Sequence, residues 1–306
     1  MRTAYISHRD CHEHDTSEGH PENARRLSAI EDQFVATGLF DVLRYYDAPS
    51  VTDEQLLRVH TPEHLEAMIA MSPASGYAKL DPDTVISPRS LTAARRAAGA
   101  AVLAVDLVMS GEMENAFCCV RPPGHHAESD RAMGFCLFNN IAVAAAHALE
   151  THGLSRVAIV DFDVHQGNGT EHIFKSEPRV LFCSIFQHPF YPFTGHGLDT
   201  PTLVDVPLKG GTGGPEFRKV VTEHWFPALD RFKPEFLFIS AGFDAHWQDG
   251  MAGLKLKETD YGWLSTELLK IAKTHCDGRI VSMLEGGYEL GPLARSVVAH
   301  LNAFLD

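Results

Sequence analysis

Short uninterrupted apolar runs alternate with longer amphipathic stretches along this chain. Runs at 4–6, 42–46, 116–120, 157–160, 180–185, 236–240 and 280–284 have the length and composition of strands buried on both faces. Between them, 24–37, 91–110, 141–152, 215–232, 258–275 and 292–305 carry apolar residues at helical spacing along one face. That alternation predicts an α/β fold: a mostly parallel sheet of about eight strands with helices on both faces. No internal repeat appears, and no Gly/Ser-rich or charged linker divides residues 1–306, which read as one domain. The stretches 71–88 and 186–214 read as loops of the kind that lie over a site.

Chemistry enters where the apolar runs end. The run at 157–160 leads into Asp161-Phe162-Asp163-Val164-His165-Gln166-Gly167-Asn168-Gly169-Thr170. If strand alternation continues, Asp161, Asp163 and His165 share one face while Phe162 and Val164 take the other. Two carboxylates and an imidazole then converge, a donor set for a hard or borderline divalent cation. Aspartates that merely cap a helix after a strand would explain one acidic residue, but not this repetition. The run at 236–240 is also followed by an acidic residue, Asp244. Ligands of parallel sheets bind outside the carboxyl ends of the strands, so Asp244 can complete the site. After 116–120 comes Arg121-Pro122-Pro123-Gly124-His125-His126, a stiffened turn presenting two imidazoles suited to proton transfer. After 280–284 comes Glu285-Gly286-Gly287-Tyr288, where paired glycines permit close backbone approach and a phenol can donate to an oxygen gaining charge. By itself that segment reads as a turn with a packing tyrosine.

Composition narrows the partners. The 306 residues are 44% hydrophobic, enough to bury a sizeable core, and carry a formal net charge of −14. With no Lys/Arg cluster, that balance argues against nucleic acid. No segment has membrane-spanning length, and the first residues lack the apolar core of a secretory signal. Six cysteines without Cys-x-x-Cys spacing read as buried reduced thiols, which fits the cytoplasm. Eighteen histidines make any single one weak evidence, so the weight rests on the placement of His125, His126 and His165.

Together, His20-Pro21-Glu22, Arg121-Pro122-Pro123-Gly124-His125-His126, Gly134-Phe135-Cys136, Asp161 to Thr170, Ser240-Ala241-Gly242-Phe243-Asp244-Ala245 and Glu285-Gly286-Gly287-Tyr288 resemble the histone deacetylase family in order and spacing. The resemblance covers essentially the whole chain, and Gly167-Asn168-Gly169-Thr170 looks like its class II branch. It implies the arginase-like fold and a zinc-dependent amidohydrolase that removes acetyl or another short acyl group from lysine side chains in proteins or peptides. By the same resemblance Asp163, His165 and Asp244 hold Zn²⁺, or Fe²⁺ in its place. His126 moves the proton, supported by Asn168, and His125 assists, supported by Asp161. Tyr288 clamps the carbonyl. Asp161 and Ser184 contribute to a structural K⁺ site. Phe135 and Tyr191 wall the substrate channel, with Phe190 or Phe193 as alternative wall residues, and Gly134, Gly287, Met251 and Asp83 complete the substrate contacts. Asp81, Asp83, Glu128 and Asp130 are expected near the mouth, and Arg26 lines an acetate exit or forms a surface ion pair.

Three other functions compete. Acetylpolyamine amidohydrolases share the reacting groups, but Met251 stands where the eukaryotic ones carry a selecting glutamate, so a second buried cation would lack a counter-charge. Arginase-like manganese hydrolysis needs more bridging aspartates than the matching positions supply. A catalytically silent metal-binding module for protein interaction would keep the fold without the turnover.

Overall fold

The computed structural model describes residues 2–195 and 200–305. The strands are β1 (Thr3–Ser7), β2 (Arg44–Asp47), β3 (Ala78–Lys79), β4 (Val85–Ile86), β5 (Asn115–Cys118), β6 (Val157–Asp161), β7 (Val180–Gln187), β8 (Leu203–Leu208), β9 (Phe236–Ala241) and β10 (Ile280–Leu284). The helices are α1 (Arg25–Thr37), α2 (Asp53–Leu56), α3 (Pro62–Met71), α4 (Ser90–Met109), α5 (Asn140–Glu150), α6 (Asn168–Phe174), α7 (Gly214–Val220), α8 (Phe226–Phe232), α9 (Glu258–His275) and α10 (Leu290–Leu305).

Eight strands form one sheet in the order β2-β1-β5-β10-β9-β6-β7-β8, every neighbouring pair parallel. Adjacent residues of β5 show that both faces are covered, because alternate strand side chains point oppositely. Phe117 packs edge-on against His300 of α10 (6.0 Å between centroids), whereas the Cys118 thiol donates to the Ala100 carbonyl of α4 (3.5 Å). Burial on both faces explains why the strands read as continuous apolar runs. All six cysteines are free and buried. No described helix is long and apolar enough to cross a membrane.

Three sequence expectations are corrected. The stretch 186–214 contains β8, which pairs with β7; its Asp205 and Pro207 break the apolar run, as an edge strand permits. His196, Gly197, Leu198 and Asp199 lie outside the described residues. The stretch 71–88 contains the β3/β4 hairpin. The run 42–46 becomes the exposed edge strand β2, shifted toward Asp47, and Val42 lies outside it. The helix expected at 215–232 runs without interruption through α7 and α8, widened to a π turn at Val221–Trp225. Pro227 at the start of α8 has no N–H to give to the preceding turn, which accounts for the widening.

Helix α4 is lined with alanines and approaches the 48–51 segment closely at Gly99. A Cβ there would overlap the Pro49 carbonyl, while the Val51 N–H donates to Arg95 O (3.0 Å).

Candidate functional site

The four central strands β5, β10, β9 and β6 are neighbours, and their carboxyl ends release the loops that carry the candidate chemistry. These loops hold His125 and His126, Tyr288, Asp244, and Asp163 and His165 respectively. Strand alternation does not run through to His165 as the sequence suggested. β6 ends at Asp161, whose Oδ1 accepts the Asp163 N–H (3.1 Å), and Asp163 Oδ1 in turn accepts the His165 N–H (2.9 Å). Each aspartate therefore folds the chain over its own side chain. Phe162 and Val164 do turn into the core. Gly167 and Gly169 are required by close approach, because a Cβ would meet the Asp161 carboxylate at the first and the Ala127 carbonyl at the second.

Asp163, His165 and Asp244 bring one donor atom each within 4.8 Å of one another, all buried. His165 Nδ1 lies 3.0 Å from Asp163 Oδ1 and 3.2 Å from Asp244 Oδ2. The second oxygen of each carboxylate is held by backbone: Gly286 N–H donates to Asp163 Oδ2 (2.8 Å) and Val164 N–H to Asp244 Oδ1 (2.9 Å). Asp244 Oδ2 is buried without a hydrogen-bond partner. An orphaned carboxylate oxygen beside an imidazole and a second carboxylate is what a divalent cation satisfies, and the N/O donor set suits zinc or ferrous iron. Electrostatics agree. Burial opposes charge on His165, yet its hydrogen bond to Asp163 and the charges of Asp163 and Asp244 push it up to about 9. Burial and the charge of Asp163 raise Asp244. The cluster is short of positive charge. Gly286 has no substitute here, since a Cβ would press on both aspartates.

Beside this cluster, His125 Nδ1 pairs with Asp161 Oδ2 (2.9 Å) and His126 Nδ1 with Asn168 Oδ1 (2.7 Å), the rings 4.0 Å apart. The two environments divide the pair. Burial opposes protonation of both, but Asp161 and Asp163 outweigh it at His125 and raise it to about 10. At His126 burial is reinforced by the neighbouring His125 and His165, and its pKa falls well below the usual imidazole range. Burial and Asp244 push the Tyr288 phenol up, so it remains a donor. Ser184, paired with Asp161 across β6 and β7, has a buried hydroxyl without a partner.

A cavity of about 490 Å³ descends to this floor, lined by His126, His165, Phe135, Tyr191, Met251 and Tyr288. Phe135 stands against Tyr288 (5.9 Å) and His20 (4.7 Å). On the other side Tyr191 meets His126 edge-on (5.2 Å), and Phe190 stacks on His165 (5.3 Å). Both Phe190 and Tyr191 line the cavity, whereas Phe193 is exposed and does not. Gly134 lines it, with a positive φ of 56° and no room for a Cβ against the His126 ring. Asp83 reaches the rim beside Lys79, and Asp81 turns inward to accept the N–H groups of Asp83 and Gly134 (2.8 and 3.3 Å). Glu128 bonds to Asn168, and Asp130 is exposed. Gly287 is not a lining residue; it faces Leu293 and Phe243.

Arg26 corrects the idea of a surface ion pair. It is fully buried, pairs with Glu22 (3.1 Å), donates through Nε to the Gly287 carbonyl (2.6 Å), and lies 5.0 Å over the Tyr288 ring. Arg121 holds the same Glu22 carboxylate through Nε and Nη2. The four-residue spacing of Glu22 and Arg26 is a sequence signal for their contact; the contact with the tyrosine loop has none. Two further residues, Asp249 and Glu285, went without a role in the sequence reading. Asp249 Oδ2 accepts the N–H groups of Tyr288 and Glu289 (2.7 and 3.1 Å), and its Oδ1 that of Met251 (3.0 Å). Glu285 accepts from Gly124 N–H (2.7 Å), His125 N–H (3.2 Å) and Ser240 Oγ (3.2 Å), tying three loops together. Glu128, expected at the mouth, instead reaches inward to Asn168.

An Asp-His-Asp cluster that could hold a metal ion lies beside paired histidines at the carboxyl edge of an eight-stranded parallel sheet. The chain belongs to the histone deacetylase family: the family description "Histone deacetylase domain" matches residues 20–304. Among curated proteins, a "Probable deacetylase" of Archaeoglobus fulgidus is 38% identical over 298 residues, 95% of this chain and 82% of that protein. A "Histone deacetylase-like amidohydrolase" of Pseudomonas aeruginosa is 39% identical over 275 residues, 88% of this chain and 71% of the other. Among solved structures, the crystal structure of the HDA15 HD domain superposes with a TM-score of 0.93 at 34% identity, covering 99% of this chain and 89% of that one. The arginase-like fold expected from the sequence is the fold found.

Proposed function

We propose that this protein, as one catalytic domain over 1–306, is a metal-dependent deacetylase that removes acetyl or another short acyl group from the lysine side chain of proteins or peptides. The observation that carries this reading is the aromatic-walled cavity ending on the Asp163, His165 and Asp244 cluster. Those three residues would hold zinc, or ferrous iron, which when bound polarises the amide carbonyl and acidifies water. The rest is the work of the chain's own groups. A neutral acylated amine enters an apolar slot between Phe135 and Tyr191 at little cost, whereas a free ammonium would lose hydration without a partner. His126, neutral and bonded to Asn168 through Nδ1, keeps Nε2 available to take a proton from water and return it to the leaving amine. His125, held by Asp161, assists by its charge. Tyr288 O–H donates to the carbonyl oxygen as charge develops there. Asp161, with the partnerless hydroxyl of Ser184, forms the K⁺ site in this reading, and replacing K⁺ by a bulky organic cation should lower the melting temperature.

Acetylpolyamines are the second reading, since every reacting group is shared. Met251 in the cavity lining weighs against them, as it gives a second ammonium no counter-charge. The test compares kcat/KM of zinc-loaded protein on acetyl-lysine peptides and on acetylputrescine or acetylspermidine. The peptide should win by about tenfold or more, the scale of one unpaired buried polar group. A tenfold preference for the polyamine overturns the assignment, and inertness on both favours the silent module.

A further inference from the structure

We propose that Glu128 is a positioning residue which sets the tautomer of His126 by orienting the side-chain amide of Asn168; the catalytic consequence rests on His126 being the proton carrier. The Nδ2 of Asn168 faces three acceptors: Glu128 Oε1 at 2.8 Å, the Met133 sulfur at 3.3 Å and the His126 carbonyl at 3.5 Å. Only the NH₂ end of an amide fits there, because the oxygen end would meet acceptors alone. Asn168 Oδ1 is therefore turned toward His126 Nδ1 at 2.7 Å, and an oxygen in that place requires Nδ1 to carry the proton. The lone pair of the neutral ring is left on Nε2. Had the amide been reversed, its N–H would demand the lone pair of Nδ1, and Nε2 would hold the proton and be useless as a base.

Of the three acceptors, Glu128 makes the shortest contact and bears the only carboxylate. Its side chain is only 18% exposed, and Arg131 Nη2 donates to the same oxygen from outside (3.0 Å). The dependence is peculiar to an asparagine at 168. An aspartate offers oxygen in either orientation and needs no orienting partner, whereas an amide has a right and a wrong way round. Glu128 thus reaches the chemistry through two intervening hydrogen bonds without touching substrate.

The test uses zinc-loaded protein with ring-¹⁵N histidine, His126 assigned by loss of its signals in His126→Gln, and kcat and KM measured beside the nitrogen shifts. Glu128→Gln retains an acceptor and should keep the Nδ1-protonated ring with activity within about threefold, the span of a single neutral hydrogen bond. Glu128→Lys presents donors, should reverse Asn168 and move the proton to Nε2, and should lower kcat about a hundredfold with KM little changed, the scale of a lost general base. Adding Asn168→Asp to Glu128→Lys should restore the Nδ1 proton and about tenfold or more of the lost kcat, since the new carboxylate accepts from both sides. A Glu128→Lys ring still protonated on Nδ1, or a double variant no better than the single one, overturns the proposal. If Glu128→Lys does not fold, Glu128→Leu should give a mixed tautomer, and an unmixed Nδ1-protonated ring overturns it equally. Because the nitrogen shifts do not depend on turnover, wild-type protein inert on acyl-lysine would sink the proposed reaction while leaving the role of Glu128 decided by spectroscopy.

Discussion

Tyr288 is held from three sides: Arg26 lies over its ring, Asp249 accepts its N–H, and Phe135 meets its edge. A donor fixed before the reaction begins gives its full benefit to the transition state, so Tyr288→Phe should reduce kcat about a hundredfold to a thousandfold while metal content is unchanged. Near-normal turnover of the metal-loaded variant would remove Tyr288 from the mechanism. At this scale the sequence was legible where the residues that the fold brings together stand in short segments after strands: Asp163 with His165, His125 with His126, and Tyr288 after its glycines. It was silent about the residues that hold them. Asp249, Glu285 and Glu128 act on loops 39, 161 and 40 positions away, and no periodicity encodes such meetings. Arg26 misled for the same reason, since an arginine near a helix start reads as surface until its buried partners are known.

Among the elements, legibility follows burial. Central strands sealed on both faces appear as unbroken apolar runs, whereas β8 at the sheet margin carries Asp205 and Pro207 and looks like loop. The π turn between α7 and α8 could have been read from Pro227, but apolar spacing continues across it and hides the widening. Helix α4 supplies a test in which local preference and packing have opposite signs. Glycine inside a helix costs about 1 kcal/mol relative to alanine, so Gly99→Ala should stabilise α4 in isolation. Against Pro49 the added methyl has no room, and the substitution should instead destabilise the protein by about 1–3 kcal/mol, as overpacking does. Urea unfolding decides it: a gain in stability would mean that the 48–51 segment yields freely.

For the whole molecule, buried neutral histidines set the response to acid. Burial lowers His14 to about 4 and His60 and His300 to about 3, from an ordinary 6.5. Between those values and 6.5 the unfolded chain binds protons that the folded chain refuses, so stability drains away as pH falls through that interval. Glu22, held down to about 2 by Arg121, His14 and Arg26 despite its burial, adds a further loss only below about 4.5. Glu285, raised to about 7 by burial, works the other way between 4.5 and 7, as does the raised Asp244 up to about 6, while His126, held well below the usual imidazole range, joins the three histidines. The melting temperature should therefore decline from pH 7 to pH 4 and steepen below that, and a flat profile over the first interval would contradict the neutral assignment of the histidines. The strand order has a consequence for biosynthesis. β10 follows both β5 and β9 along the chain, yet it lies between them in the sheet. Until residues 280–284 emerge, two half-sheets wait with their inner margins unpaired, each a template for a stray strand. Translation must pass residue 284 before the nascent chain can join them, and a polypeptide stopped before that point would be left as two sticky halves with nothing to close the gap.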